Sequence, residues 1–281
     1  MSVPSNQLMV SSADGTTIAY QTLGAGEGVI VVGGALRASR DYLSLARTMA
    51  RSLTVHVVDR RGRGASGPQG AGYRIETECE DLLAVHAETK ATAVFGHSYG
   101  GLVALEAARR TRVFSRVAVY EPAVSIHGSI PVDWMPRYRQ LLAAGDTRGA
   151  FACMVRRMGF APKPLSKMPL WYVKAILRVV MRGPEWRRME PLLESNLAEH
   201  EEVARLDDGT VDRYRSIAAR VLILGGQKSP AFTTTKPFNL LHESIADSTV
   251  EILDGFDHNA PDDKAPQVVG KKVRDFLCSA S

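Results

Sequence analysis

The sequence predicts an α/β fold: a mostly parallel eight-stranded sheet with helices on both faces, interrupted once by an inserted helical block. Three observations predict it. Short β-branched apolar runs alternate with stretches of helical spacing, the mark of strand–helix–strand crossovers. That alternation stops between about Ile130 and Leu206 and then resumes. A chain of 281 residues with 45% hydrophobic side chains can also bury a substantial core without metals or disulfides.

The elements follow in order. Leu8–Ser12 and Thr16–Thr22, split by Asp14-Gly15, read as an opening hairpin. Gly28–Val32 reads as a buried strand ending at Gly33-Gly34, followed by a helix from about Asp41 to Arg51 and a strand over Leu53–Val58. Glu76 to about Lys90 is amphipathic and leads into the apolar run Ala91–Phe95. Gly101–Arg110 has helical spacing, and Arg116–Tyr120 is another short strand. The helical block is punctuated by Pro162, Pro164 and Gly183-Pro184. Strand signals return at Arg220–Leu224 and Thr249–Leu253, and a last helix spans about Lys264 to Leu277. Residues 1–129 and 207–281 are therefore expected to form one sheet domain, and 130–206 a helical cap.

Composition narrows the function. The first residues have neither a basic start nor an apolar core, so no signal peptide is expected. No apolar run is long enough for a membrane span. Cys79, Cys153 and Cys278 are widely spaced, which fits a reducing cytoplasm better than a disulfide framework. Between Pro131 and Arg205 there are 13 Lys/Arg against 8 Asp/Glu, an excess equal to the net charge of +5 on the whole chain. This reads as a solvated helical face. No zinc spacing or RNA-binding aromatic signature accompanies it, so nucleic acid is not an expected partner. His and carboxylates form no tight ligand cluster, and Gly62-Arg63-Gly64 lacks the third glycine and following helix of a dinucleotide site, so neither metal nor cofactor is expected.

Gly96-His97-Ser98-Tyr99-Gly100 carries the chemistry. A strand turning sharply into a helix leaves the turn residue jutting out, and glycines two positions to either side let neighbouring backbone come close. Ser98 Oγ then sits at a helix N-terminus, which favours developing negative charge. His97 is expected to point into the fold. A nucleophilic serine needs a base, and His258 follows a strand and a glycine-containing loop, ahead of the last helix.

These pieces resemble the α/β-hydrolase fold over nearly all of the chain apart from the helical insert. The resemblance rests on Val31-Val32-Gly33-Gly34, the stretch Asp59 to Ser66, which resembles the family's turn after the fourth strand and whose arginines read as structural, Gly96 to Gly101, and Asp254 to His258. It implies oxyanion donors at the backbone N–H of Tyr99 and of Ala35, although the usual His-Gly pair before the latter is Gly33-Gly34 here. It implies a triad acid as well. The commoner position, after the strand ending at Gly225, holds Ser229, which cannot stabilise an imidazolium as a carboxylate does. Some members place the acid after the preceding core strand, where Glu121 stands; the alternatives are no triad acid at all, or Asp254 or Asp257, with Asp257 disfavoured by its adjacency to His258. Ser229 itself is expected to matter little.

The expected function is thus a cofactor-independent serine hydrolase acting on an ester, lactone or thioester of a lipophilic or aromatic small molecule. Trp134, Met154, Trp171 and Trp186 are the expected pocket residues, drawn from a Trp- and Met-rich insert. A cofactor-free haloperoxidase, a C–C bond hydrolase and a non-hydrolytic ligand-binding protein on the same fold are the other readings. Ser98 disfavours an epoxide hydrolase or haloalkane dehalogenase, which use Asp at that position.

Overall fold

The computed structural model describes residues 7–160, 163–207, 211–230 and 235–279. Its sheet contains β1 (Gln7–Ser11), β2 (Thr17–Leu23), β3 (Glu27–Val32), β4 (Leu53–Val58), β5 (Ala93–His97), β6 (Arg116–Tyr120), β7 (Arg220–Gly226) and β8 (Ser248–Leu253). Their spatial order is β1-β2-β4-β3-β5-β6-β7-β8. The hairpin β1–β2 and the β2–β4 pair are antiparallel, and the other neighbours are parallel. The expected architecture is therefore observed.

Central strands made almost wholly of Val, Ile, Leu and Ala present apolar side chains to both faces, so both must be covered. Val29, Val31, Val55, Val57 and Phe95 share a core with Tyr42, Leu45, Met49, Val269, Val273 and Leu277. Those partners come largely from α1 (Leu43–Met49) and α11 (Pro266–Cys278), which pack on each other. The opposite face is covered by α2 (Ile75–Thr89) and α3 (Tyr99–Arg110), which also pair. Helix α3 is buried from Tyr99 through Ala108, as a helix pressed onto the middle of a sheet must be.

Local departures from the sequence reading have local causes. The helix expected from Asp41 begins as a 3₁₀ turn, Ser39–Tyr42, whose start is held by the Asp41 carboxylate accepting the Ala38 N–H at 2.8 Å. Strand β5 runs to His97 and α3 starts at Tyr99, so the turn between them is a single residue. Helix α10 (Thr235–Ser244) lies between β7 and β8, where no helix was expected.

The chain divides into two compact units, Met1–Val124 with Thr210–Ser281, and Ser125–Gly209. Among its described residues, the second unit is helical: α4 (Met135–Ala143), α5 (Thr147–Arg157), α6 (Lys163–Ser166), α7 (Leu170–Val180), α8 (Pro184–Met189) and α9 (Leu193–Leu206). Pro184 occupies the first turn of α8 behind Gly183, which has φ 66°. Pro162 lies outside the described residues. Asp146 caps α5 by accepting the Gly149 N–H at 2.9 Å. Tyr138 is fully buried and donates its hydroxyl to the Leu193 carbonyl at 2.9 Å, tying α4 to α9.

Candidate active site

Ser98 sits between β5 and α3 at φ 54°, in the left-handed region that L side chains rarely adopt. Such backbone costs about 1–3 kcal/mol and persists only where its surroundings over-determine it. Here they do. The Ser98 N–H donates to the Tyr120 carbonyl at 2.9 Å, and its own carbonyl accepts from Gly101 at 2.9 Å and from Ala123 at 3.0 Å. A Cβ on Gly96 would stand 2.3 Å from the Gly100 carbonyl oxygen, and one on Gly100 would stand 2.3 Å from that of Val32. Only glycine fits at either position.

Three strand ends deliver the other groups. Glu121 follows β6 directly, also left-handed at φ 45°, with its N–H donating to the Leu224 carbonyl at 2.8 Å. His258 lies on the loop after β8. Its Nε2 is 3.2 Å from Ser98 Oγ, and its Nδ1 is 2.7 Å from Glu121 Oε2. The Glu121 side chain is wholly buried and that of His258 is 15% exposed. The other Glu121 oxygen, Oε1, accepts from the Gly226 N–H at 2.8 Å and from the Ser229 hydroxyl at 2.5 Å. Both carboxylate oxygens are thereby engaged, which removes much of the cost of burying the charge. Asp257 is directed elsewhere: its carboxylate accepts from the Asn259 N–H and pairs with Lys264. Asp254 is exposed.

Ser229, expected to matter little, donates its hydroxyl to the carboxylate that reaches the imidazole. The hint in the sequence was a short hydroxyl donor at the position where the fold more often supplies an acid.

The loop carrying His258 is anchored on several sides. Tyr120 donates its hydroxyl to the Asp257 carbonyl at 2.9 Å, and the Lys228 N–H donates to the Phe256 carbonyl at 2.8 Å. His97 is buried and points inward, as expected, and it joins two loops. Its Nε2 lies 2.9 Å from the His258 carbonyl, and its Nδ1 lies 2.7 Å from Tyr42 Oη, which in turn accepts the Gly34 N–H at 2.8 Å. A carbonyl can only accept, so Nε2 carries the proton and Nδ1 accepts from Tyr42. Burial, together with nearby His258 and Arg37, holds the His97 imidazole well below the ordinary histidine value. A second tie between the same loops is the Arg37–Asp262 ion pair. Burial raises the Asp262 carboxyl above its usual range, with Arg37 and His258 opposing that rise.

The loop after β3 passes against Ser98: a Cβ on Gly34 would lie 3.1 Å from Ser98 Cβ. Ala35, next along, is half-buried, and Tyr99 opens α3, where backbone N–H groups point outward from a helix N-terminus. Among the described residues no group of three or more His, Cys, Asp or Glu is arranged to hold a metal ion, and no helix is long and apolar enough to cross a membrane.

The four expected pocket residues all belong to the helical unit. Trp134 is buried edge-on to Tyr138 and His200, with ring centroids 5.0 and 4.9 Å away. Met154 is buried with its sulfur 3.2 Å from Asn196 Nδ2. Trp186 is buried against Phe151, under the Arg148 guanidinium at 4.1 Å. Trp171 is 69% exposed. Three of the four thus serve their unit's own core.

The sequence profile of the alpha/beta hydrolase family matches residues 29–269, a span that includes Ser98, Glu121 and His258. The chain belongs to the alpha/beta hydrolase family. Among solved structures, this alpha/beta hydrolase is similar to an alpha/beta hydrolase from Sphaerobacter thermophilus DSM 20745, with 30% identity, a TM-score of 0.79, and 96% of this chain and 100% of that one covered. At 21% identity and a TM-score of 0.72 it shares its fold with Est816, an N-acyl homoserine lactone degrading enzyme, over 96% and 100% of the two chains. The enol-lactonase from Burkholderia xenovorans LB400 shares the fold at 18% identity and a TM-score of 0.70, over 97% and 100%. The uncharacterized hydrolase YraK of Bacillus subtilis (strain 168) is 33% identical over 96 residues, which cover 33% of this alpha/beta hydrolase and only 35% of YraK.

Proposed function

We propose that this protein is a cofactor-independent serine hydrolase that cleaves ester-like bonds through an acyl-enzyme. The observation that carries the reading is the continuous path from Ser98 Oγ through His258, at 3.2 Å, to the buried Glu121 carboxylate, at 2.7 Å. In this reading Ser98 Oγ attacks the substrate carbonyl while His258 Nε2 takes its proton. Glu121 holds Nδ1–H in place and stabilises the charge that develops on the ring. The N–H groups of Ala35 and Tyr99 receive the oxyanion, each such donor being worth about 2.7–4 kcal/mol in the transition state. The tetrahedral adduct collapses, Nε2 protonates the leaving oxygen or sulfur, and water activated by the same nitrogen releases the acid.

A lipophilic or aromatic ester, lactone or thioester is the proposed substrate class. Support comes from the lactone-degrading and enol-lactonase neighbours, and we assign the helical unit the role of substrate-selecting cap. The three cysteines are free thiols, which supports a reducing cytoplasm as its place of work.

The test is labelling with a fluorophosphonate, followed by turnover of p-nitrophenyl esters of rising chain length together with lactones and thioesters. Wild type should be labelled and Ser98→Ala should not. Absence of labelling in wild type would defeat the reading and favour a ligand-binding protein on this fold.

A further inference from the structure

Arg60 is a buried cation that the triad does not use. It follows β4 in the turn Asp59-Arg60-Arg61-Gly62, and two of its nitrogens form a fork with Glu78 of α2: Nε to Oε2 and Nη2 to Oε1, both 2.6 Å. Burial alone would raise the Glu78 carboxyl, but the Arg60 charge and hydrogen bonds outweigh that and hold it below its ordinary value. The pair is therefore ionised and close to neutral when seen from a distance. What remains is local. Arg60 Nη1 donates to the carbonyl oxygens of Gly33 and Gly34, each at 3.3 Å, and the guanidinium carbon lies 4.7 Å from the centre of the Tyr99 ring. Tyr73 closes the cluster, its hydroxyl 2.5 Å from Glu78 Oε1 and 2.9 Å from Tyr99 Oη.

These contacts converge on the oxyanion donors. The Gly34 carbonyl and the Ala35 N–H belong to one peptide unit, and in a trans peptide they point in opposite directions. The preceding unit shows the effect: its carbonyl, on Gly33, accepts from Arg60, while its N–H, on Gly34, donates to Tyr42. A charge-assisted bond to a peptide carbonyl draws electron density from the amide and strengthens its N–H as a donor, since linked hydrogen bonds polarise one another. We propose that Arg60 is a positioning residue for the oxyanion hole: one guanidinium orients and polarises the Gly34–Ala35 peptide and at the same time stacks on Tyr99, the other donor residue. The proposal rests on the assignment of Ala35 and Tyr99 as donors made above.

The test is the paired variant Arg60→Leu/Glu78→Leu, which removes both charges together so that neither is left buried alone. With p-nitrophenyl butyrate, kcat should fall roughly 10-fold while KM stays within about 2-fold, a share of the loss expected for one oxyanion donor. Affinity for a trifluoromethyl ketone, which adds to Ser98 as an alkoxide, should fall by the same factor. The Ala35 amide proton should move upfield in the NMR spectrum. Arg60→Lys, which keeps the charge opposite Glu78 but loses the third arm of the fork, should reproduce the kcat loss in a protein with its core charge pair intact. A lower melting temperature with unchanged kcat and unchanged ketone affinity would overturn the proposal, because it would make Arg60 a structural ion pair only. An unmoved Ala35 resonance would overturn it as well. The amide shift does not depend on turnover, so a wild type that fluorophosphonate fails to label would end the hydrolase reading while the role of Arg60 in polarising this peptide was still decided.

Discussion

The Glu121 carboxylate divides its two oxygens between tasks: one faces the His258 ring and the other accepts from Gly226 and Ser229. Glu121→Gln keeps the shape but presents a neutral amide that cannot stabilise a charged ring. Steady-state kinetics should therefore show kcat lower by at least about 100-fold, as follows when the acid of a triad loses its charge and tautomer control. Ser229→Ala removes one of the two donors on Oε1 and leaves the Gly226 N–H in place. A hydrogen bond to a charged group contributes about 1.5–3 kcal/mol, and partial compensation by the remaining donor makes roughly a 3- to 10-fold loss of kcat the expected outcome. An unchanged kcat in Ser229→Ala would mean that Gly226 alone holds the carboxylate.

At the scale of elements, the strand-to-helix elbow is a junction with no spare room. Its two glycines face carbonyl oxygens at distances no Cβ tolerates, so Gly100→Ala must push β3 away from α3. Denaturant unfolding should show a destabilisation of about 3 kcal/mol or more, at the upper end for overpacking. Two ties join the loop after β3 to the loop after β8: the Gly34–Tyr42–His97–His258 hydrogen-bond chain and the Arg37–Asp262 ion pair. His97→Asn retains an acceptor for Tyr42 but loses the reach to the His258 carbonyl. Its kcat should fall with little change in KM, since the group lost holds His258, the proposed base, and touches no substrate.

For the molecule as a whole, the buried histidines set a pH dependence whose sign follows from their shifts. His97 is held well below the ordinary value by burial with His258 and Arg37 nearby, and burial lowers His56 and His200 too. In the unfolded chain these rings take up protons near pH 6.5. Above that pH neither state binds the protons and their contribution to stability is fully present; below it the unfolded state gains protons that the folded state refuses, and stability is lost toward the lowered folded values. Asp262, raised by burial, pulls the other way from the carboxylate range upward. The melting temperature should therefore fall between pH 7 and pH 5.5, and the slope should be shallower in His97→Asn. A flat profile in wild type would contradict the buried, neutral state of these rings.

The parallel sheet was legible because its signals are local: runs of Val, Ile and Leu that must be buried on both faces, and punctuation by Gly and Pro. The elbow was legible for the same reason, since Gly96, Ser98 and Gly100 lie within five residues and their spacing has a steric meaning. His258 could be placed from chain order. Glu121 could be placed opposite it only through the family resemblance, because Glu121, Asp254 and Asp257 differ in the direction a strand end aims them, and that direction is a property of the assembled sheet. Arg60 was legible only as a structural arginine and Ser229 as a residue of little effect, and Tyr42 and Asp262 carried no signal at all, since each acts on a group brought near only by the fold. The tryptophans show the converse: an aromatic-rich stretch records that area must be buried, and packing alone decided that Trp134 and Trp186 lie inside their own unit while Trp171 faces solvent. What short-range sterics and periodicity can encode, the chain determined by itself; which charged and polar groups meet across distant strand ends was decided only when the sheet brought them together.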